Sequence, residues 1–261
     1  MIGWLTAGLG LAAAAGLSAR YNWWRPRRPG LPVLMYHHVT DELNNTPLPK
    51  LRVTTKAFAA QLDLLRAKGY QTVSLAQAMA PDAPANGVVL SFDDGYEDFY
   101  SQAWPLLRQR GMSATVFLVA GAIGGDNFWD RPKGEPREPL MDAARIRELA
   151  AAGVEFGGHG FGHVAMAGLS QADLARETIG CQEALGAILG QPCRVFSYPY
   201  GLYDAPAARA VGQAGFTVAC TTRPGMLGPG VDPLAAPRII VKRSDNLLDL
   251  RLKLTRGQSR L

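Results

Sequence analysis

The sequence has few cysteines and lacks the patterns that hold disulfide frameworks or zinc fingers together. Among 261 residues there are three cysteines, Cys181, Cys193 and Cys220, an odd number with no CxxC pair. This count argues against a disulfide framework and against a metal site built from thiolates, so we interpret all three as small core residues. No zinc-finger spacing and no pattern of basic and aromatic residues typical of a nucleic-acid-binding motif occurs either, which argues against a nucleic-acid partner.

Charged residues are missing between residues 2 and 19, whose sequence is IGWLTAGLGLAAAAGLSA. An apolar run of this length is just sufficient to span a bilayer core of roughly 30 Å. The stretch RYNWWRPRRPG that follows resembles an interfacial belt with a proline-rich tether. A cleaved signal peptide, the alternative, needs a Lys or Arg before the apolar run, and there is none. We therefore predict that residues 1–29 form a membrane anchor, or a signal-like segment, with a basic tether, and that residues 30–261 form one domain.

The net charge of +5 arises largely at the two ends of the chain. This distribution favours a membrane surface over nucleic acid as a partner. Because the basic residues follow the apolar segment, the positive-inside rule favours a cytoplasmic position for the main domain over a periplasmic or extracellular one. The basic helix predicted from Asn246 onward could lie on the anionic inner leaflet, or it could be an ordinary last helix packed on the domain.

From residue 31 onward, short β-rich runs alternate with amphipathic helical segments. VVLSF, ATVFLV and RVFSY are typical of buried strands, whereas TTKAFAAQLDLLRAKG (54–69) is typical of a helix with a Thr cap and a terminal glycine. Alternation over about seven or eight units predicts an α/β fold with a distorted (β/α) barrel, preceded by an N-terminal hydrophobic helix. Two long irregular stretches, residues 121–140 and 221–237, follow strands, which predicts that they lie on the face where barrels carry active sites.

Polar residues follow four of the predicted strands. All four histidines fall into two clusters, His37–His38 after VLM and His159–His163 after VEF. Asp93–Asp94 follows VVLSF, and YPYG (198–201) ends RVFS. An Asp-Gly pair taken alone is usually a solvated turn. Because the ends of parallel strands meet on one face of a barrel, we instead expect these groups to converge on a functional site.

The residue types in these clusters support metal-assisted hydrolysis. One Asp and two His separated by three residues form a typical three-ligand set for zinc or a similar divalent ion. A second carboxylate beside the ion can act as general base, so two adjacent aspartates can divide these roles. Histidine is a natural acid for a departing amine or alkoxide. The ligand types do not distinguish Zn from Ni, Co or Fe.

These motifs resemble the polysaccharide deacetylase family, the NodB-homology group of carbohydrate esterases, over roughly residues 30 to 250. The family's [TS]-F-D-D-G motif is similar to SFDDG here, which implies Asp93 as the base and Asp94 as a metal ligand. Its H-x-x-x-H motif is similar to HGFGH, which implies His159 and His163 as the other two ligands. The resemblance implies one divalent ion as cofactor.

Two further motifs resemble the exopolysaccharide-associated YPYG branch of that family. FSYPYG is similar to its third motif, which implies that the Tyr200 backbone N–H contributes to the oxyanion hole and contacts substrate. LMYHHV is similar to branches whose acid histidine comes from the N-terminal strand, which makes His37 the candidate acid. We expect His38 to pack or hydrogen-bond behind it.

The sequence also departs from the family pattern. No histidine occurs after residue 163, so the C-terminal Leu-x-x-His motif is absent and no other acid replaces His37. Gly160 stands where a hydroxyl residue often follows the first ligand histidine, so the hydrogen bond that steadies this loop is missing. The arginine common in the third motif is absent too, and Arg238 is a candidate replacement as partner of Asp93.

The resemblance implies a metal-dependent hydrolase that removes N-acetyl groups from an amino sugar in a polysaccharide or a lipid-linked glycan. An O-acetyl carbohydrate esterase would use the same site, and a non-catalytic glycan-binding barrel would keep the fold without the metal set. Trp129 and Phe128 in the long loop could stack on a sugar, or their side chains could pin the loop to the core. The sequence does not predict the oligomeric state.

Overall fold

The computed structural model describes residues 26–259, together with Gly16 and Trp24. The predicted hydrophobic helix and the tether lie almost entirely outside these residues, so the anchor and the domain boundary at residue 30 stay predictions. Within the described part, no helix is long and apolar enough to cross a membrane.

The centre of the molecule is a parallel sheet of eight strands. The strands of the described residues, in chain order, are β1 (Val33–Tyr36), β2 (His38–Val39), β3 (Arg52–Val53), β4 (Gln71–Thr72), β5 (Gly87–Phe92), β6 (Thr115–Leu118), β7 (Glu155–Gly158), β8 (Val195–Ser197), β9 (Val218–Cys220) and β10 (Ile239–Ile240). The sheet follows the order β10-β1-β5-β6-β7-β8-β9, β4 also pairs with β5, and β2 pairs with β3 separately. A parallel bridge between Cys220 and Ala236 links the β9 end to the residues just before β10. The predicted parallel α/β fold is confirmed, and this arrangement is consistent with a distorted (β/α) barrel.

Helices connect the strands, as the sequence predicts. They are α1 (Thr55–Ala67), α2 (Leu75–Ala78), α3 (Phe99–Ala103, a π-helical turn, continued by Trp104–Gln109), α4 (Ala143–Ala151), α5 (Gln171–Ala175, π-helical Arg176–Gly180 and Cys181–Leu189), α6 (Ala205–Gln213) and α7 (Leu247–Arg256). Short 3₁₀ turns occur at Pro49–Leu51, Ala120–Ala122, Arg131–Lys133, Pro199–Gly201 and Pro233–Ala235. Thr54, Asp142 and Asn246 cap their helices through side-chain oxygens that accept backbone N–H bonds.

The alternation of side chains along β1 separates the core from the site. Leu34 and Tyr36 belong to the main core cluster, and Tyr36 stacks on Phe92 with ring centroids 5.2 Å apart. Met35 and His37, on the opposite side of the strand, line the cavity at the strand ends. Because side chains alternate with a period of two, burial of Tyr36 in the core directs His37 toward the cavity.

Helix α7 packs on the barrel. Leu250, Leu252 and Leu254 are buried, and the helix contacts α1. Its buried Lys253 forms an ion pair with Asp245 and donates to the Ile240 carbonyl at 2.8 Å. These contacts agree with an ordinary last helix, the second of the two interpretations given above.

Candidate metal centre and active site

A cavity of about 450 Å³ opens at the C-terminal ends of the strands. Its lining includes all six residues that the sequence motifs assign to catalysis or metal binding: His37, Asp93, Asp94, His159, His163 and Tyr200. The irregular stretch 121–140 adds Asp130, Lys133 and Glu135, and the stretch 221–237 adds Thr222. The sequence therefore predicted correctly which strand ends meet and two of the segments beside them. It did not predict the β2–β3 loop, which adds Thr46 and Leu48 to the lining.

Asp94, His159 and His163 lie close enough to hold one metal ion. One ligand atom from each falls within 4.8 Å of the others, and all three residues are buried. The Asp94 Oδ1 atom is 3.1 Å from His163 Nε2 and 3.5 Å from His159 Nε2. The carboxylate comes from the turn after β5, and the histidines come from the loop after β7, as parallel strands that end on one face require.

The hydrogen bonds of His159 leave its second nitrogen free for a cation. His159 Nδ1 is 2.7 Å from the Ser197 carbonyl oxygen, which can only accept, so Nδ1 carries the proton. Burial lowers the pKa of His159 to about 4, so the ring is neutral near pH 7 and Nε2 presents a lone pair toward Asp94. A carbonyl that orients a ligand histidine in this way is a common feature of metal sites.

Asp94 completes a set of donors that fits a divalent ion. Its Oδ1 is buried and forms no hydrogen bond of acceptable geometry within the described residues. Burial by itself raises the pKa of Asp94, but His163 and His159 outweigh it and hold the pKa below its usual range. The ionised Asp94 oxygen and the neutral His159 Nε2 face each other, and both are acceptors. A cation between them would satisfy both.

Asp93 has different partners from Asp94. Arg238 donates two parallel hydrogen bonds to Asp93, from its two terminal guanidinium nitrogens to Oδ1 at 2.6 Å and to Oδ2 at 2.8 Å. Arg238 also donates to Ser197 Oγ at 2.9 Å and to the Thr221 carbonyl at 3.0 Å. Burial raises the pKa of Asp93, but Arg238 and His159 lower it more, so it lies below its usual range. The candidate pairing of Arg238 with Asp93 is thus confirmed.

The two N-terminal histidines occupy distinct environments. His37 is half-buried at the cavity wall, and burial lowers its pKa while Asp93 and Asp94 act in the opposite direction. His38 is buried, with Nδ1 2.6 Å from Asp98 Oδ2 and its ring 3.7 Å from the Tyr96 ring centroid. His38 therefore both packs and hydrogen-bonds beside the cavity, as expected.

Tyr200 has a left-handed backbone, with φ 58° and ψ 1°. Such a conformation is costly for a residue other than glycine and is typical of functional sites. The hydrogen bonds of this turn come from the amides of Gly201 and Leu202, not from that of Tyr200. The Tyr200 hydroxyl lies 3.1 Å from His163 Nδ1 and also accepts from Lys133 Nζ at 3.2 Å.

Trp129 is buried beside the candidate metal ligands and is not part of the cavity lining. Its ring stacks on that of His163 with centroids 4.5 Å apart, and it packs in a small cluster with Tyr96 and Leu140. Phe128 is exposed. This placement supports the interpretation that Trp129 fixes the loop, and contact with a sugar stays a prediction.

Sequence reasoning did not single out the polar residues of stretch 121–140. Lys133 donates to Asp130 at 2.7 Å, and its ammonium lies 4.4 Å from the Tyr200 ring centroid. Glu135 accepts from Thr46 Oγ1 at 2.6 Å and from the Leu48 amide at 2.9 Å. The mixture of acidic and basic residues in DRPKGEPRE is the signal that could have indicated a polar wall.

The comparisons with known proteins agree with this geometry. The sequence profile described as Polysaccharide deacetylase matches residues 80–219. YxkH of Bacillus subtilis (strain 168), whose name assigns it provisionally to the same family, is 29% identical over 211 residues, covering 78% of this chain and 68% of that protein. A poly-beta-1,6-N-acetyl-D-glucosamine N-deacetylase of Escherichia coli (strain K12) is 31% identical over 138 residues, covering 47% of this chain and only 20% of that protein.

Among solved structures, that of IcaB from Ammonifex degensii superposes with a TM-score of 0.71 at 26% identity, covering 83% of this chain and 94% of that one. The profile match includes both the Asp93–Asp94 pair and the two ligand histidines. With the same residues gathered in one cavity of a parallel α/β fold, the chain belongs to the polysaccharide deacetylase family.

Proposed function

We propose that this protein is a metal-dependent N-deacetylase that acts on an N-acetylated amino sugar in a polysaccharide or a lipid-linked glycan. One observation carries the proposal: the ligand atoms of Asp94, His159 and His163 converge on one point beside an Asp93 carboxylate that Arg238 holds in place. A glycan-binding barrel without catalysis has no need for this combination of metal set and base.

Asp94, His159 and His163 would hold one divalent ion, Zn in our proposal with Ni, Co or Fe as alternatives, and a bound ion supplies Lewis-acid activation of water and of the acetyl carbonyl. Asp93 accepts the proton of the attacking water, because the carboxylate is ionised near pH 7 and lies next to the ligand set. The bidentate contact with Arg238 fixes the orientation of this carboxylate.

The remaining roles fall to His37 and Tyr200. His37 donates a proton to the amine nitrogen as the C–N bond breaks, since an unprotonated amine is a poor leaving group. Burial outweighs Asp93 and Asp94 and lowers the pKa of His37, which makes its protonated form a stronger proton donor to the amine. The backbone N–H of Tyr200 donates to the acetyl oxygen as negative charge develops there.

The names of two relatives suggest the substrate to test first. The E. coli protein and one from Staphylococcus epidermidis, 24% identical over 231 residues, are both named poly-beta-1,6-N-acetyl-D-glucosamine N-deacetylases. We therefore propose β-1,6-linked N-acetylglucosamine, in a polymer or in a lipid-linked glycan, as the first candidate. An O-acetyl ester could be cleaved by the same groups, because an ester needs less help from an acid.

We also propose that residues 2–19 anchor the protein in a membrane with the domain on the cytoplasmic side, where a lipid-linked glycan is the accessible substrate. A groove lined by Arg27, Lys68, Arg251 and Arg256 supports this proposal. Its lining contains no acidic residue, so the groove suits contact with an anionic membrane surface. The groove includes Tyr70 and Asn86, which precede β4 and β5. It therefore lies at the N-terminal ends of the strands, opposite the active site. We expect the domain to resist an added protease in intact cells and to be digested after the membrane is lysed.

Acetate release tests the proposed reaction. The protein is incubated with β-1,6- and β-1,4-linked N-acetylglucosamine oligomers and with O-acetylated xylan, before and after chelation and after return of Zn²⁺. We expect chelator-sensitive release from an N-acetylated oligomer that Zn²⁺ restores. Release from the ester substrate alone would replace the N-deacetylase by an esterase, and release that chelation leaves unchanged would refute metal dependence.

A further inference from the structure

The loop that carries both ligand histidines is rich in glycine and must be held by other parts of the chain. Gly160 has a left-handed backbone, with φ +75°, and His163 also has a positive φ of 54°. A flexible loop of this composition loses conformational entropy when it adopts one geometry, which weakens binding unless the loop is fixed beforehand.

One side of the loop is held by backbone bonds to neighbouring segments. The His159 amide donates to the Leu118 carbonyl at 2.8 Å. The Gly160 and Phe161 carbonyls accept from the amides of Ala120 and Gly121, at 3.0 and 2.9 Å. These three bonds do not involve the amides of Phe161 and Gly162, on the other side of the loop, which therefore need other acceptors.

Glu177 supplies those acceptors. Its Oε2 accepts from the Phe161 amide at 2.8 Å and from the Gly162 amide at 2.8 Å, and its Oε1 lies 3.1 Å from the latter. The residue is buried, with 3% of its surface exposed, and among the described residues no Lys or Arg forms an ion pair with it. A buried carboxylate without a cationic partner is expensive unless such N–H groups compensate it, so these bonds are the reason this residue is tolerated here.

The position of Glu177 explains two local features of the sequence. It lies in the π-helical segment Arg176–Gly180, an irregularity in α5 of the kind that is frequent at functional sites. A Cβ atom at Gly160 would lie 2.7 Å from Glu177 Oε2, so a larger residue at position 160 would displace the carboxylate. The missing hydroxyl at position 160 and the carboxylate at position 177 are therefore complementary.

We propose that Glu177 is a positioning residue that fixes the 159–163 loop so that His159 and His163 are oriented for the metal ion before it binds. This inference rests on the proposed function, because it assigns a role toward the same ion. Glu177 touches neither substrate nor metal ligand side chains. It acts through the amides of Phe161 and Gly162.

The first test measures Zn²⁺ affinity of the metal-free full chain in mild detergent, by competition with a chromophoric chelator. Glu177→Ala removes both acceptors, and we expect Zn²⁺ to bind roughly 10- to 100-fold more weakly, the usual effect of losing such a supporting contact. Glu177→Gln keeps one acceptor oxygen but turns an NH₂ toward an amide donor, so its affinity should fall between the two. The matched control is Glu183→Ala, an exposed glutamate of the same helix, which should bind Zn²⁺ like the wild type.

The second test needs no metal. Hydrogen exchange at the Phe161 and Gly162 amides should accelerate in Glu177→Ala, whereas the Ala120 and Gly121 amides, which donate to the loop from the other side, change less. If Glu177→Ala does not fold, Glu177→Gln carries both measurements. Unchanged Zn²⁺ affinity with a lower melting temperature would overturn the proposal, as would an equal loss in Glu183→Ala. If the wild type binds none of Zn²⁺, Ni²⁺, Co²⁺ and Fe²⁺, the proposed function fails, and the exchange rates still decide whether Glu177 fixes the loop.

Discussion

Asp93 and Asp94 are adjacent in the chain but differ in their partners, and this difference supports the separate roles proposed for them. Arg238 satisfies both oxygens of Asp93, whereas Asp94 Oδ1 faces two imidazole nitrogens without a hydrogen bond. The Asp-Asp-Gly stretch alone could not assign these roles, because Arg238 is distant in sequence. The family resemblance made the assignment, and the contacts support it.

At the same scale, His37 can be tested through the leaving group. In His37→Ala, kcat for an N-acetylated oligomer should fall about 10²- to 10⁴-fold, the usual contribution of a general acid. Cleavage of 4-nitrophenyl acetate should fall less than about tenfold, because nitrophenolate leaves without a proton. Initial rates on both substrates measure the difference, and His38→Ala, which loses the Asp98 contact, should affect both equally. If His37→Ala lowered both rates equally, the role of His37 would be structural and not that of a general acid.

Arg238 should control the pH dependence of the reaction. The arginine helps to hold the pKa of Asp93 below its usual range, and the base works only when it is ionised. Lys keeps the charge in Arg238→Lys but cannot form the two parallel bonds, so the pKa of Asp93 should rise. The rise of kcat/KM with pH should then occur at higher pH than in the wild type. Arg223→Lys, an exposed change in the neighbouring loop, should leave the profile in place, and an unmoved profile in Arg238→Lys would contradict the role.

At the scale of elements, the strand–helix alternation predicted the order of the fold and the edge where the site lies. Caps such as Thr54, Asp142 and Asn246 mark helix starts in the sequence, and the structure begins those helices at the next residue. Contacts between distant loops could not be predicted in this way. Arg52, for example, is buried and pairs with Glu138 at 2.7 Å, which no local pattern reveals.

Glu135 joins stretch 121–140 to the β2–β3 loop, which also lines the cavity, and this contact should affect substrate binding. In Glu135→Gln the bonds to Thr46 and Leu48 weaken, which lets the walls separate. We expect KM for the glycan to rise about 3- to 10-fold, equivalent to ~1 kcal/mol of hydrogen bonding, with kcat little changed. Zn²⁺ affinity should stay the same. Glu42→Gln, in the exposed part of the β2–β3 loop, is the control, and an unchanged KM in Glu135→Gln would exclude this function for the contact.

At the scale of the whole molecule, the three cysteines report on the integrity of the interior. All are free and buried, as the sequence predicted, and burial raises the pKa of Cys193 and Cys220 to about 12 and that of Cys181 well above its usual value. Because the thiolate is the reactive form, none should react with a disulfide reagent at pH 8 while the protein is folded. All three should react in denaturant. Rapid reaction of one thiol in the folded protein would show that this part of the interior opens.

The most direct test of the central claim compares Asp93→Asn with Asp94→Asn, with bound Zn²⁺ and acetate release measured on the same samples. Both changes are nearly isosteric, so differences between the variants report on chemistry more than on packing. We predict that Asp93→Asn keeps one Zn²⁺ per chain and loses turnover, whereas Asp94→Asn loses both metal and turnover. Substantial activity in Asp93→Asn, or full metal binding in Asp94→Asn, would contradict the account.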